Sequence, residues 1–112
     1  MESERRVERE RVLDAEPAEV WEALTDEALL REWLGDDVGP VERVDEERAL
    51  TFTWVREGEG LSSVELTLEP AVSGTRLRVV EEAIGRPLAA AAGPLWEMRL
   101  GGLARLLQLA LV

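Results

Sequence analysis

The sequence predicts an α+β fold, with an antiparallel sheet of about five strands, two short helices and one long C-terminal helix. Three observations carry this. Apolar and polar residues alternate with the period of a strand from Arg5 to Leu13, and again through most of the stretch between Val41 and Val79. Between these regions, apolar residues recur at helical spacing in two short runs that end at Gly35. From Pro94 onward the chain is apolar on more than one helical face.

In the first strand, Val7, Arg9, Arg11 and Leu13 share one face, and Glu8, Glu10 and Val12 share the other. Pro17 opens the first short helix at a position where a missing N–H is no loss. Val20, Trp21 and Leu24 form its apolar face. Thr25-Asp26 ends this helix and caps the next, whose apolar face is Leu29, Leu30, Trp33 and Leu34. Gly35 is the stop signal. Asp36 to Pro40 reads as a polar connector, Val41 to Val44 as a short strand, and Asp45 to Arg48 as a turn. Leu50, Phe52 and Trp54 then share a strand face. Glu57-Gly58-Glu59-Gly60 reads as a hairpin loop. Val64, Leu66 and Leu68 line one face of the next strand, and Leu77 and Val79 point inward from the last. Ala83 to Gly93 reads as a loop or helical turn.

The charges provide an internal check. If the first strand pairs with the last, and the last with the one before it, then Glu8/Glu10, Arg76/Arg78 and Glu65/Glu69 lie side by side. That gives an outer face of alternating sign, the favourable cross-strand arrangement. The same pairing turns Val7, Phe52, Trp54, Leu66, Leu68 and Leu77 toward the terminal helix.

The run Ala15-x-Pro17-x-x-Val20-Trp21-x-Ala23-Leu24-Thr25-Asp26, followed by Trp33-Leu34-Gly35, resembles the START-like (SRPBCC) superfamily. Within it, the nearest branch is the one named for the activator of heat-shock-protein-90 ATPase. Val44-Asp45-x-x-Arg48-x-Leu50-x-Phe52-Thr53-Trp54, Glu65 to Pro70 and Gly74 to Leu77 agree with this branch. The resemblance implies a helix-grip fold, in which the sheet wraps one long helix. It also implies a cavity between them for a hydrophobic or amphipathic molecule. Members of the branch usually carry two further strands between the second short helix and the Val-Asp turn. The cavity expected here is therefore small or open on one side.

At 112 residues the chain fits one domain. A formal net charge of −11 repels phosphate, so neither nucleic acid nor an anionic membrane is an expected partner. The sequence has neither cysteine nor histidine. Disulfides, thiolate chemistry and the commonest metal ligand and general base are therefore missing, and no metal or cofactor is expected. The N-terminus has no apolar signal segment, and the apolar tail from Leu103 is too short to span a bilayer, so a cytoplasmic location is expected.

Catalysis has little to draw on. Ser3, Ser62, Ser63 and Ser73 have no histidine or lysine as a base. Asp36-Asp37 sits in the expected connector, and Asp45-Glu46-Glu47 lacks the spacing of a calcium loop. Gly58-x-Gly60 opens no helix, so it is no phosphate loop. The resemblance therefore implies a non-catalytic binder of a hydrophobic or amphipathic small molecule. Its expected cavity lining is Phe52, Trp54, Leu66, Leu77, Trp96, Leu100 and Leu103, and each is otherwise a core residue. Arg9 and Arg11 lie on the inward face. They either anchor an acidic head group, Arg11 being the candidate, or run to the rim and pair with a carboxylate from a helix.

The alternative is a protein-interaction module, either a homodimer or a chaperone-cofactor-like adaptor. Trp96, Leu100, Leu103, Leu107 and Leu111 form the sheet-facing stripe of the terminal helix. A second stripe of Leu95, Met98, Gly102, Leu106 and Leu109 would be the contact surface between two copies.

Overall fold

A computed structural model describes residues 5–35, 38–56, 60–85, 87–88 and 90–110. Strand β1 (Arg6–Leu13) leads into helices α1 (Pro17–Thr25) and α2 (Glu27–Leu34). Strands β2 (Val38–Asp45), β3 (Ala49–Arg56), β4 (Gly60–Ala71) and β5 (Gly74–Ile84) follow, and helix α3 (Ala92–Ala110) comes last. The five strands form one antiparallel sheet in the order β1-β5-β4-β3-β2. The sheet curves around α3 in the helix-grip arrangement.

Local chemistry sets the helix ends. Pro17 begins α1, and the Asp26 side chain caps α2 by accepting from the Leu29 N–H at 3.0 Å. Gly35 closes α2 at φ 88°, a conformation that costs other residues more. The buried Trp33 indole donates to the Ala23 carbonyl at 3.2 Å, which fixes α2 against α1. At the β4–β5 turn, Gly74 lies so close to the Leu13 carbonyl that a methyl group there would collide with it. Thr75, fully buried, donates to the Ala15 carbonyl at 2.8 Å and ties that turn to the β1–α1 junction.

The sheet's inner face is the one expected. Leu50, Phe52, Val64, Leu66, Leu77 and Val79 are buried on it, against Trp96, Leu100, Leu103 and Leu107 of α3. Its outer face carries the expected charges. Arg76 lies 4.0 Å from Glu10 and 3.9 Å from Glu69, and Arg78 pairs with Glu8.

Four boundaries differ from the sequence reading. Strand β2 begins at Val38, because breaks in register with β3 absorb Gly39-Pro40 at a sheet edge, where proline needs no partner for an N–H. Strand β4 already starts at Gly60. Strand β5 runs on to Ile84, past the point where Glu81 interrupts the apolar alternation. Helix α3 starts at Ala92 rather than at Pro94. Asp36-Asp37, Glu57-Gly58-Glu59 and Leu111 lie outside the described residues, as does the side chain of Leu109.

Candidate functional site

One half of the inner face departs from a pure hydrocarbon core. Strand register sets Trp54 of β3 opposite Ser62 of β4, and Val64 of β4 opposite Glu81 of β5. Trp54, Ser62 and Glu81 therefore project together toward the first turns of α3. Glu81 is fully buried, and Ser62 is 4% exposed. The Ser62 hydroxyl donates to Glu81 Oε2 at 2.5 Å, and the Trp96 indole Nε1–H donates to Glu81 Oε1 at 2.8 Å. Each carboxylate oxygen thus accepts from a side chain that is itself buried.

Aromatic rings continue from Trp96 away from this carboxylate's hydrogen bond. The Trp54 and Trp96 rings meet edge to face, 4.9 Å between centroids at 81°. The Phe52 ring lies 6.1 Å from that of Trp54, centroid to centroid. Arg99, one turn beyond Trp96 and half-buried, places its guanidinium 4.5 Å from the Trp54 centroid and 5.5 Å from that of Trp96. Both distances are within cation–π range. A carboxylate, two perpendicular indoles and a guanidinium are packed together inside an apolar enclosure.

Of the eight expected site residues, seven lie between sheet and helix. Phe52, Trp54, Leu66, Leu77, Trp96 and Leu103 are 0% exposed, and Leu100 is 2% exposed. Six of these side chains thus present no surface to bulk solvent or to a void that water could enter. Arg11 stands apart. It is exposed, with its guanidinium beside Gly101 of α3. Arg9 runs to the start of α3, where it lies against Gly93 and 3.8 Å from Glu97.

Glu81, Ser62 and Arg99 were missed in the sequence. The signal was parity. Glu81 continues the inward positions Leu77 and Val79, and Ser62 continues Val64, Leu66 and Leu68. A polar residue that keeps to the buried parity of a strand is informative because burying it is costly unless it is paired.

Among the described residues, two open clefts lie elsewhere on the surface. One, of about 320 Å³, is bordered by Pro17, Glu46, Arg48, Leu68 and Glu69. The other, of about 250 Å³, lies between α2 and β2, with Leu30, Arg31, Val38 and Val41 at its walls. On the second stripe of α3, Met98 is 62% exposed, whereas Leu95, Gly102 and Leu106 are half-buried and Leu106 packs on the core. Among the described residues, no group of three or more acidic side chains could hold a metal ion, and no helix is long and apolar enough to cross a membrane.

A helix held in a curved antiparallel sheet, with a buried polar group beneath it, places the chain in the START-like class. Residues 35–108 match the model of the family described as "Activator of Hsp90 ATPase homolog 1-like protein", and the chain belongs to that family. Among solved structures, it is similar to protein MLL2253 from Mesorhizobium loti, at 25% identity and a TM-score of 0.77, over 93% of this chain and 97% of that one. It is similar to CalU16 from Micromonospora echinospora, at 28% identity and a TM-score of 0.77, over 90% of this chain and 73% of that one. It also resembles DynU16, described as a protein in the dynemicin biosynthetic locus, at 28% identity and a TM-score of 0.80. That match covers 93% of this chain and 47% of DynU16, so the chain spans about half of DynU16's length. No protein of curated function matches the sequence.

Proposed function

We propose that this protein binds a small hydrophobic or amphipathic molecule, without catalysis, between its sheet and α3 at the Trp54–Trp96 end. The observation that carries this reading is the Glu81 carboxylate, fully buried with hydrogen bonds from Ser62 and Trp96. Ligand sites are mostly apolar enclosures with a few convergent polar groups that fix orientation, and this end of the grip has that composition. The inner side chains close on one another, so a ligand enters by displacing one of them. The half-buried Arg99 is the side chain best placed to leave.

Native mass spectrometry of protein purified from its own host tests this reading. A retained small molecule that is lost on denaturation supports it. Protein that retains nothing, and takes up no aromatic or fatty-acid-like probe at micromolar concentration, contradicts it.

A second reading, a homodimer through α3, has its own observation. Met98 is 62% exposed, and a side chain at Gly102 would meet nothing within 4 Å. A close helix approach there is sterically open. Sedimentation at micromolar concentration, with Met98→Glu as control, separates a dimer from a monomer.

A further inference from the structure

We infer that the ligand of this site is a small, flat organic cation, an amine-bearing aromatic, and that Arg99 occupies the cation's place until it arrives. This rests on the binding reading above and specifies its chemistry.

The indole faces are electron-rich, so they attract a cation and gain little from an anion. Trp54 and Trp96 stand nearly perpendicular, at 81°, and form two walls of a corner. Trp96 Nε1 is bonded to Glu81 Oε1 at 2.8 Å, which places a negative group at the edge of the same ring. A corner of two indoles with a carboxylate at its base is the chemistry that recognises an ammonium or amidinium group. The guanidinium of Arg99 illustrates this complementarity. It is a planar cation, and it lies 4.5 Å from one centroid and 5.5 Å from the other.

Arg99 is suited to act as a stand-in for a ligand. Its side chain is long and half-buried, so it reaches solvent by rotation about its own bonds while α3 stays in place. Glu81 and the two tryptophans are 0% exposed and form the fixed part of the corner. A ligand that brings its own cation restores to the indole corner the positive charge that Arg99 withdraws from it. A neutral or acidic ligand of the same shape does not. The chain's net charge of −11 acts in the same direction, drawing cations toward the surface and repelling anions. An acidic head group, the ligand feature suggested by Arg11 in the sequence, is disfavoured on both counts.

The test uses three probes with one naphthalene body: 2-naphthylmethylamine, 2-naphthylmethanol and 2-naphthoate. Calorimetry follows their binding to the wild-type chain, Arg99→Met and Glu81→Gln. The wild type binds the amine about tenfold more tightly than the alcohol, and the carboxylate most weakly. In Arg99→Met the amine binds about tenfold more tightly again, because it no longer competes with a resident cation. In Glu81→Gln the preference for the amine over the alcohol falls from about tenfold to within about twofold. Circular dichroism establishes that each variant is folded. If Glu81→Gln is not, the wild-type ranking and Arg99→Met decide the matter alone. Equal binding of amine and alcohol by the wild type, or weaker amine binding by Arg99→Met, overturns the cation assignment and leaves the binding reading standing. Failure of all three probes on both wild type and Arg99→Met overturns both.

Discussion

The two ends of the sheet's inner face are built from the same strands but on different principles. At one end Leu13, Leu50, Leu68 and Leu77 pack as hydrocarbon beneath the later turns of α3, and the buried Thr75 hydroxyl is spent on the Ala15 carbonyl. At the other end the same β3, β4 and β5 contribute Trp54, Ser62 and Glu81 beneath the first turns of α3. A core needs only the first kind of construction. Replacing a buried polar cluster by well-packed apolar residues is often neutral or stabilising, so the second kind is not explained by stability alone. The comparison separates a half that holds the fold from a half that can recognise something.

Substitutions at the two ends should therefore separate stability from binding. The largest loss is expected at Trp96→Ala, about 3–5 kcal/mol, because the indole fills the centre of the grip and satisfies Glu81. Its denaturant midpoint should fall well below the wild type's, and aromatic probe binding should vanish with it. Leu68→Ala, at the hydrocarbon end, should cost about 2–4 kcal/mol and leave probe affinity unchanged in the folded protein. A change in affinity there would break the division. Ser62→Ala reverses the pattern. It removes one donor to a buried carboxylate, costs about 1–3 kcal/mol, and alters probe affinity in calorimetry. On the outer face, Arg76→Ala should cost under about 1 kcal/mol and leave binding untouched, because its partners are solvent-exposed carboxylates.

The hydrocarbon end was legible in the sequence almost completely. Alternation put Leu66, Leu68 and Leu77 on the buried face, and the charge signs of Glu10, Arg76 and Glu69 agreed with the β1-β5-β4 pairing that the sheet adopts. Pro17, Asp26 and Gly35 marked the helix ends because capping chemistry is local. The polar end was not legible to the same degree. Trp54 and Trp96 were expected at the cavity, but Glu81 lies where apolar alternation ceases, and a pattern that looks for hydrophobic residues stops there. Arg99 is one of two arginines on a helix with apolar residues on most sides. Its position over Trp54 depends on the distance between helix and sheet, which no local spacing encodes. Parity set Arg9 and Arg11 on the inward face with two outcomes open, and Arg9 takes the one in which it pairs with a carboxylate of a helix, 3.8 Å from Glu97. Both lie on edge strand β1, where a long side chain reaches the rim and the start of α3.

The central claim is that recognition occurs at the polar end of the grip, and the four indoles report on it independently. Trp54 and Trp96 line that end, whereas Trp21 and Trp33 belong to α1 and α2, where Trp33 is tied to the Ala23 carbonyl. Proton–nitrogen NMR of the indole Nε1–H groups during titration with 2-naphthylmethylamine should move the Trp54 and Trp96 resonances together and leave those of Trp21 and Trp33 in place. Movement of Trp21 or Trp33 with Trp54 and Trp96 fixed would contradict the account.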